Sequence, residues 1–488
     1  MTTKWPIAIL ISLLIIGFSF SMEQQLHVTA QEAGTAGPSQ IVVRLDTAVT
    51  IDEINTDYGT ETVKALFNND AIYLLQVGPD NQALDVLAAM LDDTRLIYAE
   101  PNLRSTIPEG NTQDIYGWGN TQDIYGWGNT QDIYGWGNTQ DIYGWGNTQD
   151  IYGWPYEEGD SDFSTQQVAE TINPLTRYSW SLSGFDSAHY YQQPAVQQTH
   201  LQAAQAYSQG AGVVVAVLDT GVDLFHPLLM PQLTAVRYDF VDNNMFPFDE
   251  FSGQDHNGDG FIDSVAGHGT HVAGIIHRIA PQAQIMPLRV LNSDGQGYTF
   301  VLADAMLFAA EHGATVINLS LGTAEPSALL LDVIDQLAEA GVVVVAAAGN
   351  LNDNLPQFPA AANCALAVTA VSQGPLKADF ANYGEWVDIA APGDKIYSTY
   401  PGGQFARWSG TSMATPFVAG QAALLLGADP TLSLTDVGRY ISGTAVSIDS
   451  ANPNYTGQLG FGRIHFGDSL QALINGQLPA TAGPLDGC

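Results

Sequence analysis

Several apolar segments of this chain contain no alternating polar residues, and this feature restricts its fold more than any other. Residues 213–218 read VVVAVL and residues 342–348 read VVVVAAA. A strand that is apolar on both faces is typical of a parallel sheet covered by helices on both sides, because an exposed face would carry alternating polar residues. From about residue 190 such runs alternate with helical segments, which predicts a doubly wound, mostly parallel α/β sheet flanked by helices.

The predicted elements follow one another in regular alternation. Strands are predicted at residues 213–219, 235–240, 284–291, 315–321, 342–349, 366–371 and 387–391. Helices are predicted at residues 201–208, 271–280, 299–312, 328–340, 411–426 and 435–442. Because 488 residues exceed what one hydrophobic core usually organises, a second domain is also expected.

Three polar residues stand where these segments begin or end. Asp219 closes the first strand, at the edge where open parallel sheets carry their sites. His268 and Ser412 each begin an apolar helical segment, within the motifs GHGTHVAG and SGTSMATP. A serine hydroxyl needs a neighbouring base to become nucleophilic, and a helix N-terminus offers free N–H groups to an oxyanion.

Two of these motifs have a second interpretation when they are taken alone. Ser412 could be an ordinary helix cap, since capped apolar helices are common. His268 and His271 share a helical face and could bind zinc, but the Glu of the zinc motif His-Glu-x-x-His is absent. The combination of all three motifs therefore carries the interpretation.

In the chain order Asp219, His268, Ser412 the motifs resemble those of the subtilisin-like serine peptidases (subtilases, S8 family). The resemblance covers roughly the last two thirds of the chain. Three motifs in this order are highly specific for the family. It implies that Ser412 attacks the peptide carbonyl to give an acyl-enzyme. His268 would take the serine proton and return it to the leaving amine, while Asp219 would orient His268 and stabilise its cation.

The resemblance also assigns an oxyanion donor and two substrate-binding segments. Asn350 follows the strand at residues 342–349, and its amide, with the backbone N–H of Ser412, would hold the developing charge. Two segments resemble those that bind an extended peptide by strand addition: Ser320, Leu321 and Gly322, and Ala347, Ala348 and Gly349. Leu351 follows the oxyanion residue, so broad specificity with apolar or aromatic P1 residues is expected.

An acidic loop before His268 predicts a calcium site. Residues 255–263 match the first nine positions of an EF-hand loop, with a glycine at position 6. The predicted ligands are Asp255, Asn257, Asp259, the carbonyl of Phe261, and Asp263. Position 12 is Ala266 instead of the usual bidentate Glu, and an acidic surface turn without metal is the alternative.

The charge composition excludes some partners. The chain has 14 Lys and Arg against 51 Asp and Glu, a net charge of −37, so it offers little to neutralise nucleic-acid phosphates or anionic membrane surfaces. Protein and peptide substrates are the expected partners. Two rival functions remain open from the sequence: a catalytically silent binding or adhesion protein on this fold, and an acyltransferase that passes the acyl group to amines.

The first hundred residues predict an exported precursor. Residues 1–21, with Lys4 before an apolar stretch, are predicted to be a signal peptide, an uncleaved anchor being the alternative. Export is expected from this segment, and the expected location is secreted and extracellular. Residues 39–105 predict a βαββαβ order, typical of a small α+β ferredoxin-like domain. Their position and the ending YAEPN resemble inhibitory propeptides, which implies an intramolecular inhibitor whose C-terminal segment lies in the active cleft. A permanent small domain is the alternative.

The remaining segments are predicted from composition. Residues 106–189 form a linker containing five copies of NTQDIYGWG or a close variant (residues 111–155), and self-maturation is expected to remove part of it. An adhesive role for the aromatic repeats is the alternative. The peptidase domain is predicted at residues 190–478 and a small-residue tail at residues 479–488. Cys364 is expected in the core, and its pairing with Cys488 is less favoured than two unpaired cysteines.

Overall fold

The computed structural model describes residues 39–46, 49–79, 81–107, 187–258, 261–480 and 483–488, together with the backbone of three short strands among the repeats. The chain divides into two compact units, Met1–Leu103 and Arg104–Cys488. The predicted signal peptide, residues 1–21, lies outside the described residues. The boundary between the units falls two residues before the predicted end of the first domain at residue 105, because residues 104–107 pair with the second unit.

The first unit contains a four-stranded antiparallel sheet and two helices. Its elements are β1 (Gln40–Leu45), α1 (Ile51–Tyr58), β2 (Thr60–Leu66), β3 (Asn69–Val77), α2 (Ala83–Leu91) and β4 (Leu96–Pro101). The spatial order is β2-β3-β1-β4, with β1 antiparallel to both β3 and β4. Val43, Ile54, Leu75 and Met90 fill one core between sheet and helices. The βαββαβ order and ferredoxin-like sheet predicted from the sequence are therefore present.

Capping residues fix the ends of α1. Thr50 and Glu53 form a reciprocal capping box at its first turn, and the helix ends at Gly59 with a φ of 64°. The left-handed conformation costs glycine little because it has no Cβ, so the chain can turn directly into β2.

The second unit is organised by a seven-stranded parallel sheet. Its strands are β9 (Val214–Asp219), β10 (Tyr238–Asp239), β11 (Gln284–Arg289), β13 (Val316–Leu319), β14 (Val343–Ala347), β15 (Ala365–Val371) and β16 (Ile389–Pro392). Their order is β10-β11-β9-β13-β14-β15-β16, and every neighbouring pair is parallel. The central strands are buried along their whole length, as their continuous apolar sequence predicts.

Helices flank this sheet. They are α3 (Ser187–Gln192), α4 (Pro194–Gln198), α5 (Leu201–Gln205), α6 (His268–Ile279), α7 (Thr299–Glu311), α8 (Ala328–Glu339), α9 (Thr411–Ala428), α10 (Leu434–Gly443) and α11 (Phe466–Ile474). Helices α6 and α9 pack on each other, as do α7 and α8, and all four also contact strands. The α/β fold class predicted from the sequence is confirmed.

The sequence missed a hairpin and the helices α3, α4 and α11. Strands β17 (Ile396–Tyr400) and β18 (Gln404–Trp408) form an antiparallel hairpin before α9, and α11 follows residue 465. Ser398 and Thr399 of the hairpin are fully buried and donate hydrogen bonds to carbonyls of α6, those of His271 and Thr270. A strand whose buried positions are hydroxyl residues gives no apolar pattern, so periodicity could not predict it.

Two further short strands lie at the edge of the second unit. Strand β5 (Arg104–Thr106) is antiparallel to β12 (Gln296–Tyr298).

Three more short strands lie among the repeats: β6 (Ile124–Tyr125), β7 (Ile133–Tyr134) and β8 (Ile142–Tyr143). Strand β7 pairs in parallel with both β6 and β8, and each strand consists of the same two residues of its repeat. The prediction of a linker did not include this pairing.

The C-terminal residues are attached to the peptidase domain, where the sequence predicted a simple tail. Leu485 is fully buried, and Asp486 accepts hydrogen bonds from Arg439 on α10. Cys488 forms a disulfide with Cys364, with Cα atoms 5.6 Å apart and a sequence separation of 124 residues. Pairing was the less favoured expectation because spacing in the sequence does not reveal which cysteines meet.

We expect the disulfide to stabilise the second unit. Closing a loop of this length restricts the unfolded chain and typically contributes about 2–4 kcal/mol. In a Ser412→Ala background, which avoids self-digestion, Cys488→Ser should lower the free energy of unfolding by about this amount in guanidinium titrations. A reductant should shift the parent to the same midpoint and leave Cys488→Ser unchanged; equal midpoints for the oxidised parent and the variant would contradict the expectation.

Candidate active site

Asp219 and His268 meet at the carboxyl end of β9. Asp219 is the last residue of that strand and His268 is the first residue of α6. Both are fully buried, and His268 Nδ1 lies 2.8 Å from Asp219 Oδ1. The backbone N–H of Thr220 also donates to Asp219 Oδ1, at 2.8 Å. The arrangement fixes one nitrogen of the imidazole on the carboxylate, and Nε2 lies on the opposite edge of the ring.

Ser412 lies in the first turn of α9, which packs against α6. Its Oγ donates a hydrogen bond to the backbone carbonyl of Ser320 at 3.2 Å, and Ser320 Oγ donates to the carbonyl of Ser412 at 2.8 Å. Asn318 supports this exchange by donating its side-chain amide to Ser320 Oγ. Ser412 is therefore attached to the end of β13, and its backbone N–H belongs to the first turn of α9.

Asn350 is oriented by the residue before Ser412. Its side-chain Oδ1 accepts hydrogen bonds from both the backbone N–H and the hydroxyl of Thr411, each at 2.9 Å. The amide Nδ2 is buried and has no hydrogen-bond partner among the described residues. A buried donor without an acceptor costs free energy, so an unpaired Nδ2 beside Ser412 fits a donor kept for an oxyanion. The sequence did not single out Thr411 for this orienting role.

Trp408 is another residue that the sequence did not single out. Its ring, 1% exposed, packs edge-on against His268 with centroids 5.4 Å apart, and against His271 with centroids 5.7 Å apart. The residue ends β18, four positions before Ser412. An aromatic wall here limits how far the imidazole of His268 can tilt. The only sequence signal was its place directly before the serine motif.

His271 is a structural neighbour, as the resemblance implied. It is fully buried, and its Nε2 lies 3.1 Å from the carbonyl oxygen of Ile396 and 3.2 Å from that of Ala406, both in the hairpin. Burial lowers the pKa of His271 to about 3, with the neighbouring His268 adding to the effect. A neutral ring that donates to carbonyls explains this histidine without the zinc alternative.

The edge formed by residues 320–322 already carries a strand. Gly322 exchanges two backbone hydrogen bonds with Thr106, its N–H donating at 2.9 Å and its carbonyl accepting at 2.8 Å. On its other side this strand, β5, pairs with β12, and Ile107 N–H donates to the carbonyl of Gly295. Ile107 and Ser105 are buried. A segment of the chain itself is thus bound in an extended form between two backbones.

The second predicted substrate segment, residues 347–349, has other hydrogen-bond partners than the bound segment. Ala348 N–H donates to the carbonyl of Val368, and Gly349 N–H donates to the hydroxyl of Thr411. Gly349, with a φ of 103°, instead turns the chain toward Asn350. The strand that faces residues 320–322 across the bound segment is therefore β12, which the sequence did not single out, and not residues 347–349.

The described residues do not assemble the predicted calcium ligands. Asp263 accepts hydrogen bonds from the backbone N–H groups of Ser252 and Gly253 and from the Ser252 hydroxyl. Asp255 accepts from the N–H of Gly258. Within the described ranges, no group of three or more His, Cys, Asp or Glu side chains could hold a metal, and Asp259 lies outside them. Calcium at this loop stays a prediction.

A nearby carboxylate holds the same loop through backbone hydrogen bonds. Asp294 accepts from the N–H of His256, near the start of the predicted metal loop, and from that of Ser264, directly after it. The two ends of the loop are therefore joined by a protein side chain.

Comparisons with known proteins agree with this fold and with the geometry of the site. Together, these findings define a serine peptidase. A model described as the Subtilase family matches residues 210–462. Thermitase from Thermoactinomyces vulgaris is 41% identical over 237 residues, covering 46% of this chain and 79% of thermitase. Subtilisin BL from Lederbergia lenta is 39% identical over 266 residues, covering 52% and 92%. The chain belongs to the subtilase family and is a serine endopeptidase.

The buried His271 should make stability depend on acid. Its folded-state pKa of about 3 lies below the ordinary value of 6.5. Between these two pH values the unfolded chain therefore binds a proton at this residue and the folded chain does not. Its contribution to stability is full above pH 6.5 and is lost as the pH falls toward 3, by about 1.4 kcal/mol per pH unit. In the Ser412→Ala background, the stability difference between His271 and His271→Gln should shrink as pH falls from 7 to 5, measured by urea unfolding. A pH-independent difference would contradict a neutral buried ring.

The calcium prediction has its own measurement. If residues 255–263 bind calcium, a chelator should lower the melting temperature of Ser412→Ala by about 2 °C or more, because a ligand of the folded state adds stability. Calcium, but not magnesium, should restore it, and Asp255→Ala should be insensitive to the chelator. An unchanged melting curve of the parent would exclude a stabilising calcium ion.

Proposed function

We propose that this serine endopeptidase is a secreted, self-processing zymogen that cleaves peptide bonds through Asp219, His268 and Ser412. The observation that carries the proposal is the buried 2.8 Å contact between His268 Nδ1 and Asp219 Oδ1, on a helix that packs against the one carrying Ser412. A histidine held this way by a carboxylate is suited to act as a base for a serine.

The catalytic steps follow from these contacts. Ser412 attacks the scissile carbonyl while His268 accepts its proton at Nε2, and Asp219 stabilises the imidazolium that results. The oxyanion receives hydrogen bonds from Asn350 Nδ2 and the backbone N–H of Ser412. Losing one such donor typically slows this chemistry by about 100- to 1000-fold. His268 then protonates the leaving amine, and water releases the acyl group from Ser412.

Inhibition in the precursor is supported by the segment bound at Gly322. Residues 104–107 follow directly after the first unit and pair with β12 on one side and with Gly322 on the other. This is the position and the backbone pairing that strand addition would give an extended substrate. While it is occupied, a peptide substrate cannot pair with Gly322, so the precursor is inactive toward other proteins.

The same segment suggests where self-processing occurs. Thr106 pairs with Gly322 in an antiparallel register, and Ser320, two residues before Gly322, accepts a hydrogen bond from Ser412 Oγ through its carbonyl. We therefore place the processing site between Ile107 and Asn111, before the first repeat. The five repeats then remain on the mature enzyme, in place of the partial removal expected from the sequence.

Side-chain preference at P1 follows from the groups near Gly349. A Cβ built on Gly349 would lie 2.7 Å from Asn382 Nδ2 and 2.9 Å from Gln357 Cγ. Both neighbours are uncharged, and Ala347 and Ala348 beside them are small and buried. An uncharged wall with small residues supports the preference for apolar or aromatic P1 residues.

Secretion is proposed from the sequence of residues 1–21, which lies outside the described residues. Within the described part of the chain, none of the helices has the length and apolar character required to cross a bilayer.

One comparison tests mechanism and processing together. Purified wild type should hydrolyse a chromogenic peptide with Phe at P1, and mass spectrometry should find a new N-terminus between residues 107 and 111. Ser412→Ala should stay full length and lose several orders of magnitude in rate, because the nucleophile is gone. Ser447→Ala, which removes an exposed serine hydroxyl, should behave as wild type.

Three results would contradict parts of the proposal. Cleavage by Ser412→Ala at the wild-type rate would exclude the triad. A mature N-terminus after residue 155 would exclude the register argument. Release of amide products instead of free acids when an amine is added would favour the acyltransferase.

A further inference from the structure

A second buried carboxylate lies next to the Asp219–His268 pair, outside every motif that the sequence analysis identified. Asp249 is 6% exposed and belongs to the loop between β10 and α6. That loop passes close to the turn after β9, where Val222 N–H donates to the carbonyl of Pro247. A Cβ on Gly221 would lie 2.5 Å from the carbonyl oxygen of Phe248, so only glycine allows this approach.

Four donors converge on the Asp249 carboxylate. Oδ1 accepts from the Thr220 hydroxyl at 3.0 Å and from the Gly267 N–H at 2.8 Å. Oδ2 accepts from the Thr270 N–H at 2.9 Å and from the Thr270 hydroxyl at 2.6 Å. Every partner donates, so the site is built for an ionised, acceptor-only group.

These donors include the first turn of α6. The N-cap residue, Gly267, has no side chain to cap the helix. Asp249 instead accepts from the N–H of Thr270, and Thr220 Oγ1 accepts from the N–H of Gly269 at 3.0 Å. Two amides that a Ser or Asp cap would normally satisfy are therefore satisfied by residues distant in sequence. A negative charge at this end also complements the helix dipole.

The same hydrogen bonds join the two catalytic segments. Thr220, bound to Asp249, is the residue after Asp219, while Gly267 and Thr270 lie one residue before and two residues after His268. The two segments are in close contact, since a Cβ on Gly269 would lie 2.1 Å from the carbonyl oxygen of Gly221 and 3.0 Å from Asp219 Cβ. A shift of the first turn of α6 would therefore move His268 relative to Asp219.

We propose that Asp249 is a positioning residue for this peptidase: its carboxylate, with Thr220, attaches the first turn of α6 to the end of β9 and so sets the hydrogen bond between His268 and Asp219. Asp249 touches neither substrate nor the reacting atoms and acts through His268. The inference rests on the proposed roles of Asp219, His268 and Ser412. Burial raises the pKa of Asp249 to about 6, with Asp219 adding to the effect and the donated hydrogen bonds opposing it, so the carboxylate is ionised at neutral pH.

Two substitutions test the contact from each side. Asp249→Asn turns an amide N–H₂ toward groups that are themselves donors, which breaks the pairing with little change in volume. Thr220→Val removes the hydroxyl that joins Asp249 to Gly269, and Thr220→Ser keeps it. Asp388→Asn is the matched control, because Asp388 accepts from the backbone N–H of Ala367 and lies away from α6.

The first readout is the first-order rate at which the full-length chain cleaves itself. We expect Asp249→Asn and Thr220→Val to slow it by about 10- to 100-fold, the usual effect of a small misplacement of catalytic groups. Thr220→Ser and Asp388→Asn should stay within about twofold of wild type. Because the cleaved segment is part of the same chain, substrate binding contributes little to the difference.

The second readout reports on the His268–Asp219 hydrogen bond itself. Full-length chain carrying Ser412→Ala should show a low-field proton resonance from His268 Nδ1–H. Adding Asp249→Asn or Thr220→Val should shift or broaden it, whereas Thr220→Ser and Asp388→Asn should leave it in place. A residue that only adds stability would lower the melting temperature without moving this resonance.

The outcomes separate the inference from the function on which it rests. Cleavage by Ser412→Ala would overturn the proposed function. If Ser412→Ala is inactive but Asp249→Asn and Thr220→Val cleave at the wild-type rate with an unchanged resonance, the positioning role is wrong. If Asp249→Asn does not fold, the Thr220→Val and Thr220→Ser pair decides: equal rates overturn the inference, and slow cleavage by Thr220→Val alone supports it.

Discussion

The hydrogen bond between His268 and Asp219 is the interaction on which the rest of the peptidase unit depends. Both side chains are fully buried, and a carboxylate removed from water is costly unless donors surround it. Thr220 N–H and His268 Nδ1 provide such donors. The bond can form only where the end of a central strand meets the start of a helix, so sheet order, loop path and helix start are all constrained by it.

Helix N-termini appear twice in this site, with different functions. The first turn of α9 carries Ser412, and in the proposed mechanism its backbone N–H stabilises the negative charge that develops during the reaction. The first turn of α6 is instead satisfied by Asp249 and Thr220, which keeps His268 still. In the proposed mechanism the first helix end stabilises the transition state, and hydrogen bonds at the second hold the base in position.

The edge at Gly322 pairs through its backbone with an extended segment, and in the proposed function the same edge binds substrate. Backbone hydrogen bonds do not depend on side chains, so an extended segment of any suitable sequence can pair there. In this chain the segment is supplied by residues 104–107, directly after a ferredoxin-like unit with its own core. Under the proposed function, these few paired residues at the junction would block the precursor, and the array of repeats lies after this junction in the chain.

The sequence by itself determined the parallel sheet, the order of its elements and the choice of Asp219, His268, Ser412 and Asn350 as candidate site residues, because these are encoded in local patterns: continuous apolar strands, helix starts and short motifs. Tertiary structure alone decided the contacts of Asp249, Trp408 and β12 and the pairing of Cys364 with Cys488. Each of these depends on contacts between segments that are far apart in the chain, as Asp249 is from Thr220, and such contacts leave no periodic signal in the residues that make them.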